Sequence, residues 1–349
     1  MKKKFIITIA LTLIMALFVT VALVGCENKD DNTGDDTAPE AVTVNVVVPD
    51  GSPAIAIAKL VSEKPTFAGY NISYSIVEGA TQISAAILND TANIAIAPLN
   101  LGATMYNMGM GVKLITTNVQ GSLYMVGKNM PEGATTAEKL ASLKGKVVYN
   151  IGQGATPDLT FKYILDHFGI DYVEGDTATA GVVTLNYVNT GSELIPLLKQ
   201  GKAEYGIMGE PAVTKANSNA GTSTVFDIQA LWQESTGSAT AGFPQAGVFV
   251  KESLLTSEHA AFIEWFITKL QENDEWAPAN AETVSSALTS AGSTSLAGLT
   301  SATIAACNLD TVKAADAKAA VNTYLGALFA FNAATVGGKM PDDAFFYAG

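Results

Sequence analysis

Arginine is absent from this chain: all 20 of its basic side chains are lysines. Nitrate, carboxylates and sulfonates are best held by the bidentate fork of a guanidinium, so their capture here would fall to helix N-termini, hydroxyls or a lysine. Cysteine is almost absent, with Cys26 and Cys307 the two present, which excludes a disulfide framework. Cys307 follows Ile304-Ala305-Ala306 and reads as a small buried apolar residue. Histidine occurs twice, as His167 near a helix-ending glycine and His259 at a helix start, and no spacing matches a zinc site. There is no Gly-x-Ser-x-Gly elbow, Walker loop or dinucleotide fingerprint. Gly152-Gln153-Gly154-Ala155 is a glycine-rich turn that lacks the lysine of a phosphate loop. Catalysis has almost nothing to stand on, so the chain is read as a non-enzyme with no cofactor and no metal. Positive charge is also short, at 20 basic against 33 acidic side chains and a net charge of −13, which speaks against nucleic acid or anionic lipid as partners.

What is present begins with an export signal. Lys2, Lys3 and Lys4 precede an apolar run from Phe5 to Val24 that ends Leu23-Val24-Gly25-Cys26 and then turns polar. Twenty apolar residues could also span a bilayer, but the small residues before Cys26 favour cleavage after residue 25, and the site resembles a bacterial lipobox, which implies that Cys26 becomes the lipidated first residue of the mature chain. Glu27 to Ala41 hold six acids against one lysine and no large apolar group. Such a segment cannot offset its ordering entropy, so residues 26–41 are expected to be a flexible acidic tether reaching roughly 20 Å. Loss of residues 1–25 removes three lysines and leaves a charge of about −16 on the mature chain.

The remaining 308 residues are comfortable for two lobes, and an internal recurrence supports that number. Val44-Asn45-Val46-Val47-Val48-Pro49-Asp50-Gly51-Ser52-Pro53 and Val147-Val148-Tyr149-Asn150-Ile151-Gly152-Gln153-Gly154-Ala155-Thr156-Pro157 share one layout: an apolar strand, a small-residue loop, a Ser/Thr-Pro step, then an amphipathic run. Each has a downstream companion strand ending in proline, Ile94 to Pro98 and Tyr205 to Pro211. Proline suits the first helical position, and Ser52 and Thr156 read as the N-caps before it. Helices that start at strand carboxyl ends point N–H groups and partial positive charge into the crevice where α/β sheets bind ligands.

Strand-like runs are expected at 43–48, 72–77, 93–97, 112–118, 122–127, 146–150, 184–187, 204–208, 225–230 and 246–250. Helical patterns are expected at 54–62, 81–89, 99–108, 159–168, 192–198, 257–271, 281–291, 300–307 and 314–331. This βα alternation implies an α/β fold with parallel sheets. The chain should cross between lobes near Thr117 and near residue 242, giving lobe one as 42–118 plus 243–349 and lobe two as 119–242.

With Cys26, the stretch Leu143-Lys144-Gly145-Lys146-Val147-Val148 before Gly152 to Asp158, the run Gly206-Ile207-Met208-Gly209-Glu210-Pro211-Ala212 and the tail Gly337 to Tyr347, the chain resembles solute-binding lipoproteins of ATP-driven importers. The group it resembles handles nitrate, sulfonates, taurine and thiamine pyrimidines, and the likeness covers nearly the whole mature chain. The resemblance implies a two-lobed type II periplasmic-binding-protein fold, each lobe a mostly parallel sheet flanked by helices, with a two-strand hinge. It implies a monomer on the outer face of the cell membrane, held by its lipid, with a small-molecule solute, an ABC permease and its ATPase as partners. Carried over by position, it places ligand contacts on Gly51, Ser52, Thr81, Gln82 and Asn100 in lobe one, and on Gln153, Gly154, Ala155, Thr156, Asn189 and Glu210 in lobe two. Structural alternatives stand beside these: Thr81 can cap a helix, Asn189 can stabilise a turn, and Glu210 can complement the dipole of the helix after Pro211.

The missing arginine, with Asp158 and Glu210 opposing an anion, favours a ligand with N–H donors, amino-pyrimidine-like or zwitterionic, over a bare inorganic anion. Trp232, Phe243 and Tyr106 could stack on a ring but read first as packing. Met105, Met108 and Met110 read as core filler. A ligand-sensing receptor lipoprotein, a pyrimidine-synthase-like enzyme on the same fold and a structural surface lipoprotein are the alternatives.

Overall fold

The computed structural model describes residues 41–238 and 242–349; the export signal, Cys26 and nearly all of the expected tether lie outside the described residues. The first segment runs β1 (Val42–Pro49), α1 (Ser52–Ile55), α2 (Ala58–Glu63), β2 (Tyr70–Val77), α3 (Ala80–Leu88), β3 (Ile94–Pro98), α4 (Leu99–Asn107) and β4 (Val112–Val119). The second runs β5 (Leu123–Gly127), α5 (Thr136–Ala141), β6 (Val147–Ile151), α6 (Thr156–His167), β7 (Tyr172–Glu174), β8 (Val183–Val188), α7 (Gly191–Lys199), β9 (Tyr205–Gly209), α8 (Ala212–Ala220), β10 (Ser223–Asp227) and α9 (Ile228–Thr236). The third comprises β11 (Ala246–Lys251), α10 (Ala260–Ala279), α11 (Ala281–Ser290), α12 (Ser301–Ala305), β12 (Leu309–Lys313) and α13 (Ala314–Phe331).

The strands form two six-stranded mixed sheets, ordered β12-β4-β11-β3-β1-β2 and β10-β5-β9-β6-β8-β7, and each sheet with its helices makes one lobe of a type II periplasmic-binding-protein fold. β1 is parallel to β2 and β3, as β6 is to β8 and β9. β5 and β11, the strands on which the chain enters a new sheet, run antiparallel to their neighbours. The near-continuous burial of Ile94-Ala95-Ile96-Ala97 is what a strand covered on both faces requires. One apolar core joins Ala95, Ala97 and Leu114 of the first sheet to Met125, Val148 and Ile207 of the second through Val321, Tyr324 and Leu328 of α13.

The chain crosses at 120–122 and returns in the stretch before β11, with the outward crossing just beyond the expected Thr117. The two passes are bonded together: Gln245 N–H donates to Val119 O at 2.8 Å and Ser122 N–H to Gln245 Oε1 at 2.9 Å. Gly242 has φ +88, and a Cβ there would lie 2.2 Å from Gln120 O, so only glycine lets the passes run side by side.

Several expectations need correction. The helix expected at 54–62 is broken at Ala56-Ile57 into α1 and α2. Residues 225–230 divide between β10 and α9, because the Asp227 carboxylate accepts from Ala230 N–H and starts a helix. β7, β12 and α5 were not among the expected elements, being short, whereas α8 is the helix expected after Pro211. Ser52 and Thr156 are not N-caps: Gly51 and Ala155 hold those positions, and neither helix has a side-chain cap. Met108, read as core filler, is 66% exposed beyond the end of α4, whereas Met105 is fully buried.

The break between α1 and α2 has a specific support. Asn273 of α10, fully buried, donates Nδ2–H to Ile55 O at 3.1 Å and accepts from Lys59 N–H at 2.9 Å. These are the two backbone groups that an unbroken helix would have paired with each other. Asn273→Ala leaves both without a partner and is expected to lower unfolding stability by about 2–4 kcal/mol, read as a drop in the urea midpoint at unchanged slope.

Candidate functional site

In the first sheet β1, β3 and β4 run in one direction, and in the second β6, β8 and β9 do. The carboxyl edges of the two sets face each other, because residues just past β1 and β3 bond to residues just past β9 and β6. Ser52 Oγ donates to Glu210 O at 3.0 Å and lies 3.1 Å from Ser122 Oγ. Thr156 Oγ1 donates to Asn100 Oδ1 at 3.4 Å. Freed from capping, both hydroxyls span the seam, and both residues are buried there, Ser52 at 3% and Thr156 at 5% exposure.

Asp50, which the sequence reading passed over, organises the rim on the first lobe. Its carboxylate accepts from Ser293 Oγ at 2.6 Å, Thr294 N–H at 3.0 Å and Ser295 N–H at 3.1 Å, as well as from Gly51 N–H at 3.0 Å. The loop so fixed offers Ser295 O to Lys215 Nζ of the second lobe at 2.5 Å. Thr303 Oγ1 adds a contact to Thr214 Oγ1 at 3.4 Å.

Glu210 is buried and its carboxylate is turned toward its own helix, accepting from Thr214 N–H at 3.1 Å and Thr214 Oγ1 at 3.0 Å. Burial raises its carboxyl above the ordinary range, and the two Thr214 bonds pull partly back. The Gly152–Thr156 turn is pinned by Asp158, whose Oδ2 accepts from Gly154 N–H at 2.8 Å and Lys162 Nζ at 2.9 Å, while its Oδ1 accepts from Tyr187 Oη at 2.9 Å. Lys162 also donates to Glu174 at 2.6 Å. Burial pulls its ammonium down, but the Glu174 and Asp158 carboxylates outweigh this and hold it above its ordinary value. Asp158 is therefore a neutralised anchor of the turn. A groove of about 500 Å³ lies beside this network, between Gln153, Gly154 and Lys162 on one side and Phe331, Asn332 and Thr335 on the other.

The structure thus gathers Gly51, Ser52, Asn100, Thr156 and Glu210 at the seam, with Gly154 and Ala155 in the adjoining turn. Thr81 and Gln82 sit exposed at the start of α3, where Gln82 Oε1 accepts from Gly79 N–H at 2.9 Å. Asn189 is exposed and its N–H donates to Glu193 at 2.9 Å, closing the start of α7. Gln153 is exposed and bonds Glu174 at 2.8 Å. Trp232 and Phe243 pack with Tyr163 and Tyr324, the Phe243 and Tyr324 rings stacked 5.2 Å apart. Tyr106 packs edge-on against Phe345 and bonds Asp342. Cys307 is fully buried, which pushes its thiol up to about 12. Among the described residues no group of three or more His, Cys, Asp or Glu converges on a metal position, and no helix is long and apolar enough to cross a membrane.

Because the folded pKa of Glu210 lies above its unfolded value, the ionised group opposes folding at neutral pH, and this penalty fades as pH falls through the folded pKa toward the unfolded one. Glu210→Gln keeps an acceptor for Thr214. It is expected to be more stable than the parent at about pH 7.5 and to lose that advantage by about pH 4.5, as read from urea midpoints at the two values.

Comparison with known proteins agrees with this architecture. No protein-family profile and no curated protein sequence matches the chain. Among solved structures, an ABC transporter from Parabacteroides distasonis matches with a TM-score of 0.72 at 23% identity, over 87% of this chain and 98% of that one. The periplasmic aliphatic sulphonate binding protein of Escherichia coli matches with a TM-score of 0.62 at 15% identity, over 88% and 97% of the two chains. The alkanesulfonate-binding protein of Xanthomonas axonopodis pv. citri, bound to MOPS, matches with a TM-score of 0.56 at 12% identity, over 87% and 96%. At these identities the likeness is one of fold.

Proposed function

We propose that this chain is the solute-binding component of an ATP-driven importer, which captures a small organic molecule at the seam between its lobes and delivers it to an ABC permease and its ATPase. The observation that carries the reading is the pairing of Ser52 with Glu210 and of Thr156 with Asn100. Two side chains, each in the first turn of a helix that follows a strand, reach across to the opposite lobe. The solved structures of like fold include binding proteins for sulphonates, and the arrangement needs no reactive group.

In this reading lobe one is 42–118 plus 243–349, lobe two is 119–242, and the paired crossings are the hinge. An open form parts the seam, and a solute touching both lobes favours the closed form by its differential affinity for the two. Glu210, which retains acceptor capacity beyond the two Thr214 bonds, and the absence of arginine favour a guest with N–H donors over a bare inorganic anion. Cleavage after residue 25 and lipidation of Cys26 would hold the protein, as a monomer, on the outer face of the membrane.

Two measurements test this. A thermal-shift screen of the purified protein should find a solute that at a hundred times its dissociation constant adds about 2.7 kcal/mol, with Thr156→Ala and Glu210→Gln each weakening it while remaining folded. Unchanged affinity in both variants removes the site. Mass spectrometry of the membrane fraction should show a chain that begins at an acylated Cys26; an uncleaved chain removes the anchor.

A further inference from the structure

Five side chains, on β4, β6, α6 and α13, are fully enclosed and have polar atoms with no hydrogen-bond partner: Thr116, Asn118, Asn150, Thr160 and Tyr324. The two asparagines are unpaired at both Nδ2 and Oδ1. Buried polar groups in folded proteins are nearly always bonded, and each orphan opposes folding. Asn118 and Asn150 hold matching places, each the last residue but one of a strand, β4 and β6, whose carboxyl end lies at the seam. Asn118 is also an extra residue in β4, since Val119 pairs with Ala246 and Thr117 with Gly247; such a bulge re-aims a side chain. Asn150 shares its sheet face with Val148, in the core to which α6 contributes Leu159 and Phe161. α13 packs on both α6 and β4 and carries the buried Tyr324 hydroxyl.

We propose that Asn118 and Asn150 are the specificity-determining contacts of the seam, and that the guest they select is an uncharged molecule of the amide, lactam or cyclic-urea class. This rests on the solute-binding reading above. A carboxamide offers two N–H donors and an acceptor oxygen, and its complement is another group with N–H beside C=O. Hydroxyls at Thr116, Thr160 and Tyr324 can act in either sense. None of the five carries charge. The buried charges nearby are engaged: Lys162 with Asp158 and Glu174, and Glu210 with Thr214. A charged guest at the carboxamides would be stripped of water with no counter-charge to meet it.

The test uses the full chain, freed of any carried guest by dialysis from guanidinium, in a thermal-shift and calorimetric panel. Piperidin-2-one, hydantoin and uracil are the neutral members; piperidine, benzoate, taurine and nitrate are the charged ones. The expected result is a response to the neutral set alone, weakened roughly tenfold or more in Asn118→Leu and in Asn150→Leu, with the guest-free variants melting at or above the parent temperature. Ser replacements serve where a Leu variant does not fold. Undiminished binding by the variants, a response to the charged set instead, or a parent that responds to no neutral member each overturns the assignment. The solute-binding reading falls separately, if no solute of any class stabilises the parent chain.

Discussion

The structure depends on one geometric constraint: the carboxyl edges of two parallel strand sets are brought face to face and held there by paired crossings of the chain. Backbone groups at strand ends and helix starts need partners, and in this arrangement the opposite lobe supplies some of them. Ser52 reaches Glu210 O, and Asn308 Nδ2 reaches Gly121 O at 2.7 Å. The seam is therefore polar by construction, while the core that runs beneath it through α13 is apolar. A polar surface laid over a shared apolar floor is suited to letting the halves part locally without either losing its own core.

Charge is distributed to keep that seam neutral. Asp50, Asp158 and Glu210 all lie close to it, and each is engaged by N–H, hydroxyl or ammonium donors of its own neighbourhood. These carboxylates shape loops and helix starts. Among the described residues, the buried side-chain polar atoms left without a partner belong to carboxamides and hydroxyls. The acidity of the chain is thus a property of its outer surface more than of its candidate site.

Much of the architecture was legible in the sequence because it is written in local patterns. The Val-rich β1, the apolar β3 and β9 and the long α13 are periodic or continuous enough to be read directly, and the Ser/Thr-Pro steps correctly marked helix starts at the seam. What was not legible depends on distant partners. No local pattern near Ser52 shows that its hydroxyl will serve the opposite lobe and leave the cap to Gly51, and the break after α1 depends on Asn273, more than two hundred residues away. Asn118 and Asn150 were invisible as a pair, because one asparagine in an apolar strand reads as a tolerated exception until its burial and its lack of partners are known. Asp50 was overlooked for the opposite reason, since Asp-Gly after a strand is ordinary turn chemistry.

The strand order of the first sheet bears on how the chain is assembled. β11 lies between β3 and β4, so the ribbon that leads into the second lobe has no neighbour on either side until residues past 245 are available. Everything from β5 to α9 is contiguous and can collapse on local information, whereas the amino-terminal strands must wait for a late insertion at the middle of their sheet. Non-local pairing of that kind slows maturation and leaves an open strand edge in the meantime. A partly folded form of this protein is accordingly built in a defined order, with the second sheet complete before β11 closes the first.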